Sequence, residues 1–196
     1  PEIRLDEVPQ LLSSRGELLT PQGVPFVWPG EDRNIAFTSL WDNWPTRVTV
    51  PVGQAAEALW LLICGSTNPM QCHIANAVVT LRYADGHEDA LELVPPFNYW
   101  ALCRLNAMPN SAGTEEHVRS DYNYGADAFC MPLAPPPAVQ LGENCRALVL
   151  NRRLRPGVRL QNVTLETLSQ DVVVGLMGLT LMNPEPLAFT EHLEAR

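Results

Sequence analysis

The chain has 196 residues, 46% of them apolar, and a net charge of −9. That is enough apolar material for one real core and too much for a disordered chain. No basic stripe and no run of ~20 apolar residues occurs, which excludes nucleic acid as a partner and a helical membrane span.

The acidic residues are scattered, as on a solvated surface. Proline numbers 18 and glycine 12. Helix interiors tolerate proline poorly, so this composition favours short strands joined by turns. The chain begins on Pro1 with no signal-peptide pattern after it, and reads as a segment of something longer or a processed product. Residues 1–20 read as a lead-in or linker, with Asp6-Glu7-Val8-Pro9 as linker or edge. Residues 21–196 read as one β-sandwich domain with a long loop at about 104–145.

In chain order, Val24 to Val27 and Asn34 to Leu40 are predicted strands, separated by the turn-rich Trp28-Pro29-Gly30-Glu31-Asp32. Arg47 to Val52 alternates, with Val48 and Val50 on one face and Thr49 on the other. Pro45 and Pro51 suit an edge strand. Ala55 to Ala58 has helix-forming residues, but Gly65-Ser66-Thr67-Asn68-Pro69 ends the apolar run early, so a strand is predicted from Ala58 to Cys64. The next two strands test by parity. A three-residue loop Ala84-Asp85-Gly86 sets Tyr83 opposite His87, Val79 opposite Leu91, and Arg82 opposite Glu88 on the wet face. A type I turn with a bulge and a left-handed Gly86 is therefore predicted. Residues 104–144 show little periodicity, and a loop that long is usually functional or packed on a neighbour. Ala147 to Leu150 is a predicted strand. So is Val158 to Leu168, whose parity shift calls for a bulge near Gln161-Asn162. Val172 to Met182 reads as a strand buried on both faces.

Local signatures of chemistry are sparse. The five cysteines, Cys64, Cys72, Cys103, Cys130 and Cys145, include no CxxC pair, and Cys64 reads as a buried thiol. The histidines, His73, His87, His117 and His192, are isolated, so no metal site and no cofactor is expected. There is no GxSxG, and no cysteine at a helix start. Glu115, Glu116 and Asp121 read as a charged loop rather than a glycosidase pair. Asn162-Val163-Thr164 matches a glycosylation sequon but falls in a predicted strand.

The aromatic residues say more. Sugar rings present apolar C–H faces to aromatic planes, while amides, carboxylates and guanidinium groups bond their hydroxyls. Trp41-Asp42-Asn43-Trp44 fits that recipe, and so does Arg119 with Asp121-Tyr122-Asn123-Tyr124. The candidate ligand-binding residues are Trp41, Asn43, Trp44, Arg119, Asp121, Tyr122, Asn123 and Tyr124. The competing reading is that the tryptophans plug the ends of the core; it is preferred for Trp60 and Trp100 first, and for Trp41 and Trp44 next.

The ordered set Val50-Pro51-Val52, Ala56 to Leu62, Val79 to Gly86 and Asn98-Tyr99-Trp100, with Val163 to Leu168 and Val174 to Leu181, resembles galactose-binding-like β-sandwich domains of large bacterial glycoside hydrolases. It covers most of the chain apart from residues 1–20 and the long loop. The resemblance implies an all-β, antiparallel jelly-roll sandwich, a non-catalytic role beside a catalytic domain, and a periplasmic or extracellular setting. Some such domains hold a structural calcium, but no Asp-rich loop here matches one. The expected function is that of an ancillary module of a carbohydrate-active protein, which binds glycan or shapes the cleft of an adjacent catalytic domain. The expected partners are therefore carbohydrate, that domain, or both. The alternatives are a purely structural contact module between domains or chains and, further off, a jelly-roll enzyme acting on polysaccharide.

Overall fold

A computed structural model describes residues 8–30, 34–41, 43–67, 69–100, 137–142 and 146–183. A short helix, α1 (Val8–Leu11), leads into β1 (Glu17–Leu19), β2 (Pro25–Val27), β3 (Ala36–Ser39), β4 (Arg47–Gln54) and β5 (Ala58–Ser66). A single 3₁₀ turn (Pro69–Gln71) precedes β6 (Ala77–Tyr83) and β7 (Glu88–Leu93). Then follow β8 (Ala138–Gln140), β9 (Arg146–Arg153), β10 (Leu160–Thr167) and β11 (Val173–Met182). These strands form an antiparallel β-sandwich. One sheet runs β4-β10-β6-β7, the other β3-β11-β5-β9-β8, and β1 and β2 form a separate hairpin.

The main core lies between the two sheets, where Val79, Leu81, Leu93, Val163 and Leu165 meet Leu59, Leu61, Ile63, Leu150 and Val174. The four-stranded sheet keeps its other face wet, and its strands alternate accordingly. Thr49 and Thr164 share a 2.9 Å hydrogen bond on that outer face.

The five-stranded sheet has a second cover. Trp60, Leu62 and Cys64 of β5 point away from the main core and pack with Val8, Leu18, Val24 and Phe26 from α1 and the β1–β2 hairpin. This is why Leu59 to Cys64 is apolar at every position. Each face of the strand has its own core, and Trp60 is fully buried. Val8, read as linker or edge in the sequence, is also fully buried, so the end of the expected lead-in forms part of a third layer. Glycines make room for that layer. A Cβ on Gly178 would sit 2.8 Å from the Phe26 ring. One on Gly175 would meet Ile35 at 2.5 Å and Cys64 Sγ at 2.7 Å.

The hairpin has the anticipated register, with Val79 opposite Leu91 and Arg82 opposite Glu88. Tyr83 N–H donates to the His87 carbonyl at 2.9 Å, Gly86 sits at φ 87°, and Arg82 Nε lies 2.6 Å from Glu88 Oε1. The β10 bulge falls between Leu160 and Asn162, and β4 is an edge strand. β11 differs in part from expectation. Val174 to Met177 are buried, but Gly178 to Met182 are only half-buried, because β3 pairs with Val173–Leu176 alone.

Candidate functional site

The strand registers gather four chain segments at one end of the sandwich. They are residues 40–46 after β3, 67–76 after β5, 94–100 after β7 and 168–172 after β10. Long-range hydrogen bonds tie them together. Thr38 and Thr167 join the two sheets through their hydroxyls at 2.8 Å, in a buried contact. Ser39 Oγ donates to the Val172 carbonyl at 2.9 Å, and Thr167 N–H donates to the Thr46 carbonyl at 3.0 Å.

Asn76 is the hub. Its side-chain amide donates to the carbonyls of Gln71 (2.8 Å) and Ile74 (3.2 Å), and its Oδ1 accepts from Thr67 Oγ1 (2.5 Å). Its backbone carbonyl accepts from Leu168 and Ser169, and its N–H donates to Leu93. Two of the four segments and the end of β7 thus converge on one wholly buried residue.

Tyr99 latches the same end. Its hydroxyl reaches the carbonyls of Ser66 and Val173, at 3.2 Å each, and its ring is fully buried. Burial, with a smaller push from Cys64, raises its pKa well above the usual tyrosine value. Tyr83, at the other end, is pushed up to about 12 by burial and by Asp89. A group that keeps its proton longer when folded favours the fold below the unfolded tyrosine pKa near 10 and loses that contribution as pH rises toward the folded value. Stability to urea should therefore fall steeply above pH ~10, and Tyr99→Phe should flatten that fall. An unchanged alkaline slope in Tyr99→Phe would show that Tyr99 is not the group titrating.

Of the residues singled out in the sequence, the structure brings together Trp41, Asn43 and Trp44. They occupy a tight turn in which Trp44 N–H donates to the Trp41 carbonyl at 3.0 Å. Ser39 Oγ accepts from Trp41 N–H at 3.2 Å, and Trp44 stands edge-on to Phe37, with centroids 5.5 Å apart. Trp41 is 44% exposed, Trp44 is 37% exposed, and Asn43 is exposed between them. Asp42, Arg119, Asp121, Tyr122, Asn123 and Tyr124 lie outside the described residues. Trp60 is fully buried, but under the third layer and not at an end of the main core, and Trp100 is only half-buried.

A second set at this end carries no sequence motif. Met70, Ile74, Phe97 and Leu168 are also exposed large apolar side chains. With the two tryptophans they make six of the nine such residues among those described, so apolar exposure is concentrated on one end. The four segments carry one charged side chain among their described residues, Asp171.

The opposite end has the reverse character. There Arg155 Nη2 lies 3.3 Å from Asp85 Oδ2, and its guanidinium stands 5.9 Å from the centre of the Tyr83 ring. His87 Nε2 lies 3.1 Å from Asp89 Oδ1. Tyr83, His87 and Asp89 come from the β6–β7 hairpin and Arg155 from the loop after β9, far apart in sequence, which is why no local motif announced them. The Tyr83 hydroxyl is buried. Asp89 and the Arg155 backbone act on its proton, although neither completes a hydrogen bond of ordinary geometry. This arrangement suits a polar plug that closes the core better than it suits a base in contact with solvent. Among the described residues, no three His, Cys, Asp or Glu side chains converge as a bound metal ion requires. No protein-family model, curated protein or solved structure matches the chain.

Proposed function

We propose that this domain is a non-catalytic ancillary module of a larger carbohydrate-active protein, a jelly-roll sandwich of the galactose-binding-like kind, with its working surface at the loop end. Trp41 and Trp44 stack on the apolar faces of sugar rings, and Asn43 fixes orientation by hydrogen bonds to hydroxyls. The observation that carries this reading is the pair of partly exposed tryptophans on a turn whose backbone is held by Ser39 and Pro45. Aromatic planes held rigid before binding lose little side-chain freedom when a ligand arrives. Arg119, Asp121, Tyr122, Asn123 and Tyr124 belong to the same proposal on sequence grounds alone. A second reading, contact with an adjacent domain, draws on Met70, Ile74 and Leu168, because aliphatic side chains match protein surfaces better than hydroxyl-rich ones.

A glycan array followed by titration calorimetry tests the sugar-binding reading. Trp41→Ala and Trp44→Ala should each weaken the best glycan by about tenfold, or about 1.4 kcal/mol. Full affinity in both variants, or no glycan bound by the protein in any form, would remove the sugar from the proposal.

A further inference from the structure

We propose that Asp85-Gly86, at the tip of the β6–β7 hairpin, is a site of isoaspartate formation, and that Arg155 is the positioning residue that restrains it in the folded chain. It is the one Asp-Gly or Asn-Gly pair in the sequence. Glycine has no Cβ to shield its own nitrogen, so in an unfolded chain that nitrogen can reach the carboxyl carbon of the aspartate before it. The Gly86 nitrogen bonds to Asp85 Cγ and loses its proton, and a carboxyl oxygen leaves as water. Solvent water then opens the five-membered imide at the former backbone carbonyl. The mass is unchanged, but the main chain now runs through the Asp85 side-chain methylene.

The fold opposes ring closure with three ties. Gly86 N–H donates to the Tyr83 carbonyl at 3.1 Å, and neither Ala84 nor Asp85 has a positive φ, so the turn is type I. Asp85, its third residue, then has a ψ of about 0°, which sets the Gly86 nitrogen over Asp85's own and away from the side chain. The carboxylate is committed as well. Its Oδ1 accepts from His87 N–H at 3.0 Å, and its Oδ2 lies 3.3 Å from Arg155 Nη2. The first two ties are local to the hairpin. The third comes from the loop after β9, so it exists only when the domain is folded. Both partners of that ion pair are well exposed, which makes its share of the restraint modest.

The added backbone atom would fall in the loop that sets Tyr83 opposite His87, and the register there depends on loop length. The isomer should therefore lose the approach of Arg155 to the Tyr83 ring, and with it the closure of this end. The inference does not rest on sugar binding, whose tryptophan turn lies at the other end.

Peptide mapping by liquid chromatography and mass spectrometry, after prolonged incubation at neutral pH, tests it. The isomer elutes apart at unchanged mass and resists a protease that cuts before aspartate. The folded chain should accumulate it at least about tenfold more slowly than the same chain unfolded in urea. Arg155→Met should raise the folded rate about threefold, and Arg155→Lys, which keeps a cation, should restore most of the restraint. Arg155→Gln replaces Arg155→Met if circular dichroism shows that variant unfolded. Equal rates in the folded and unfolded chain overturn the inference, and so does a folded Arg155 variant without the cation that ages no faster than the unaltered chain.

Discussion

Gly65→Ala is expected to destabilise the domain by about 3–5 kcal/mol, the sum of an overpacked core and a strained backbone. Gly65 sits at φ 149°, which side chains other than hydrogen rarely adopt. A Cβ there would lie 2.1 Å from the Val173 carbonyl oxygen and 2.4 Å from the Tyr99 hydroxyl. Neither neighbour can yield cheaply. Val173 is backbone in a strand paired with β5, and Tyr99 is buried with its hydroxyl on two carbonyls. For a domain of this size, the midpoint of thermal unfolding should fall on the order of 10 °C. Tyr99→Phe in the same background should relieve only part of the loss, because the clash with Val173 remains. A Gly65→Ala midpoint within a degree or two of the unaltered chain would mean that the backbone around the Tyr99 latch is not as described.

Asn76→Ala is expected to cost about 2 kcal/mol, because it strands the buried Thr67 hydroxyl and unties the loop bonds around it. The Thr67 hydroxyl loses its partner inside the fold, and the carbonyls of Gln71 and Ile74 lose theirs in part-buried positions. The loss should also be local in character. Backbone amides of residues 67–76 and 168–169 should exchange hydrogen faster, while those of β6 and β9 keep their protection. Because the tryptophan turn is held by Ser39 and Pro45 and not by Asn76, glycan binding should change little in this variant. Equal acceleration of exchange across all strands would mark Asn76 as an ordinary core residue and not the organiser of this end.

The strands were legible because their information is local. Alternation in Arg47 to Val52, the parity of Val79, Leu81 and Tyr83 against Leu91 and Leu93, and the Asp85-Gly86 turn each follow from a few neighbouring residues. The one-residue parity shift at Gln161-Asn162 announced a bulge for the same reason, since side chains alternate strictly and an extra residue must go somewhere. Leu59 to Cys64 was legible only in part. An unbroken apolar run says that both faces are buried, but it does not say by what. The cover turned out to be Val8 and Leu18, from the segment read as a lead-in or linker, with Phe26 of the predicted strand Val24 to Val27.

For the candidate site, the sequence by itself determined which side chains suit a sugar and that Trp41, Asn43 and Trp44 lie close together, because three residues in one turn cannot be far apart. Only the tertiary structure decided that Met70, Ile74, Phe97 and Leu168 share their end, and that Tyr83 and Arg155 meet at the other. The reason is physical. Strand identity is written in spacings of two residues. The ends of a sandwich are assembled by pairings such as Thr38 with Thr167, 129 positions apart, whose partners are chosen by the packing of whole sheets.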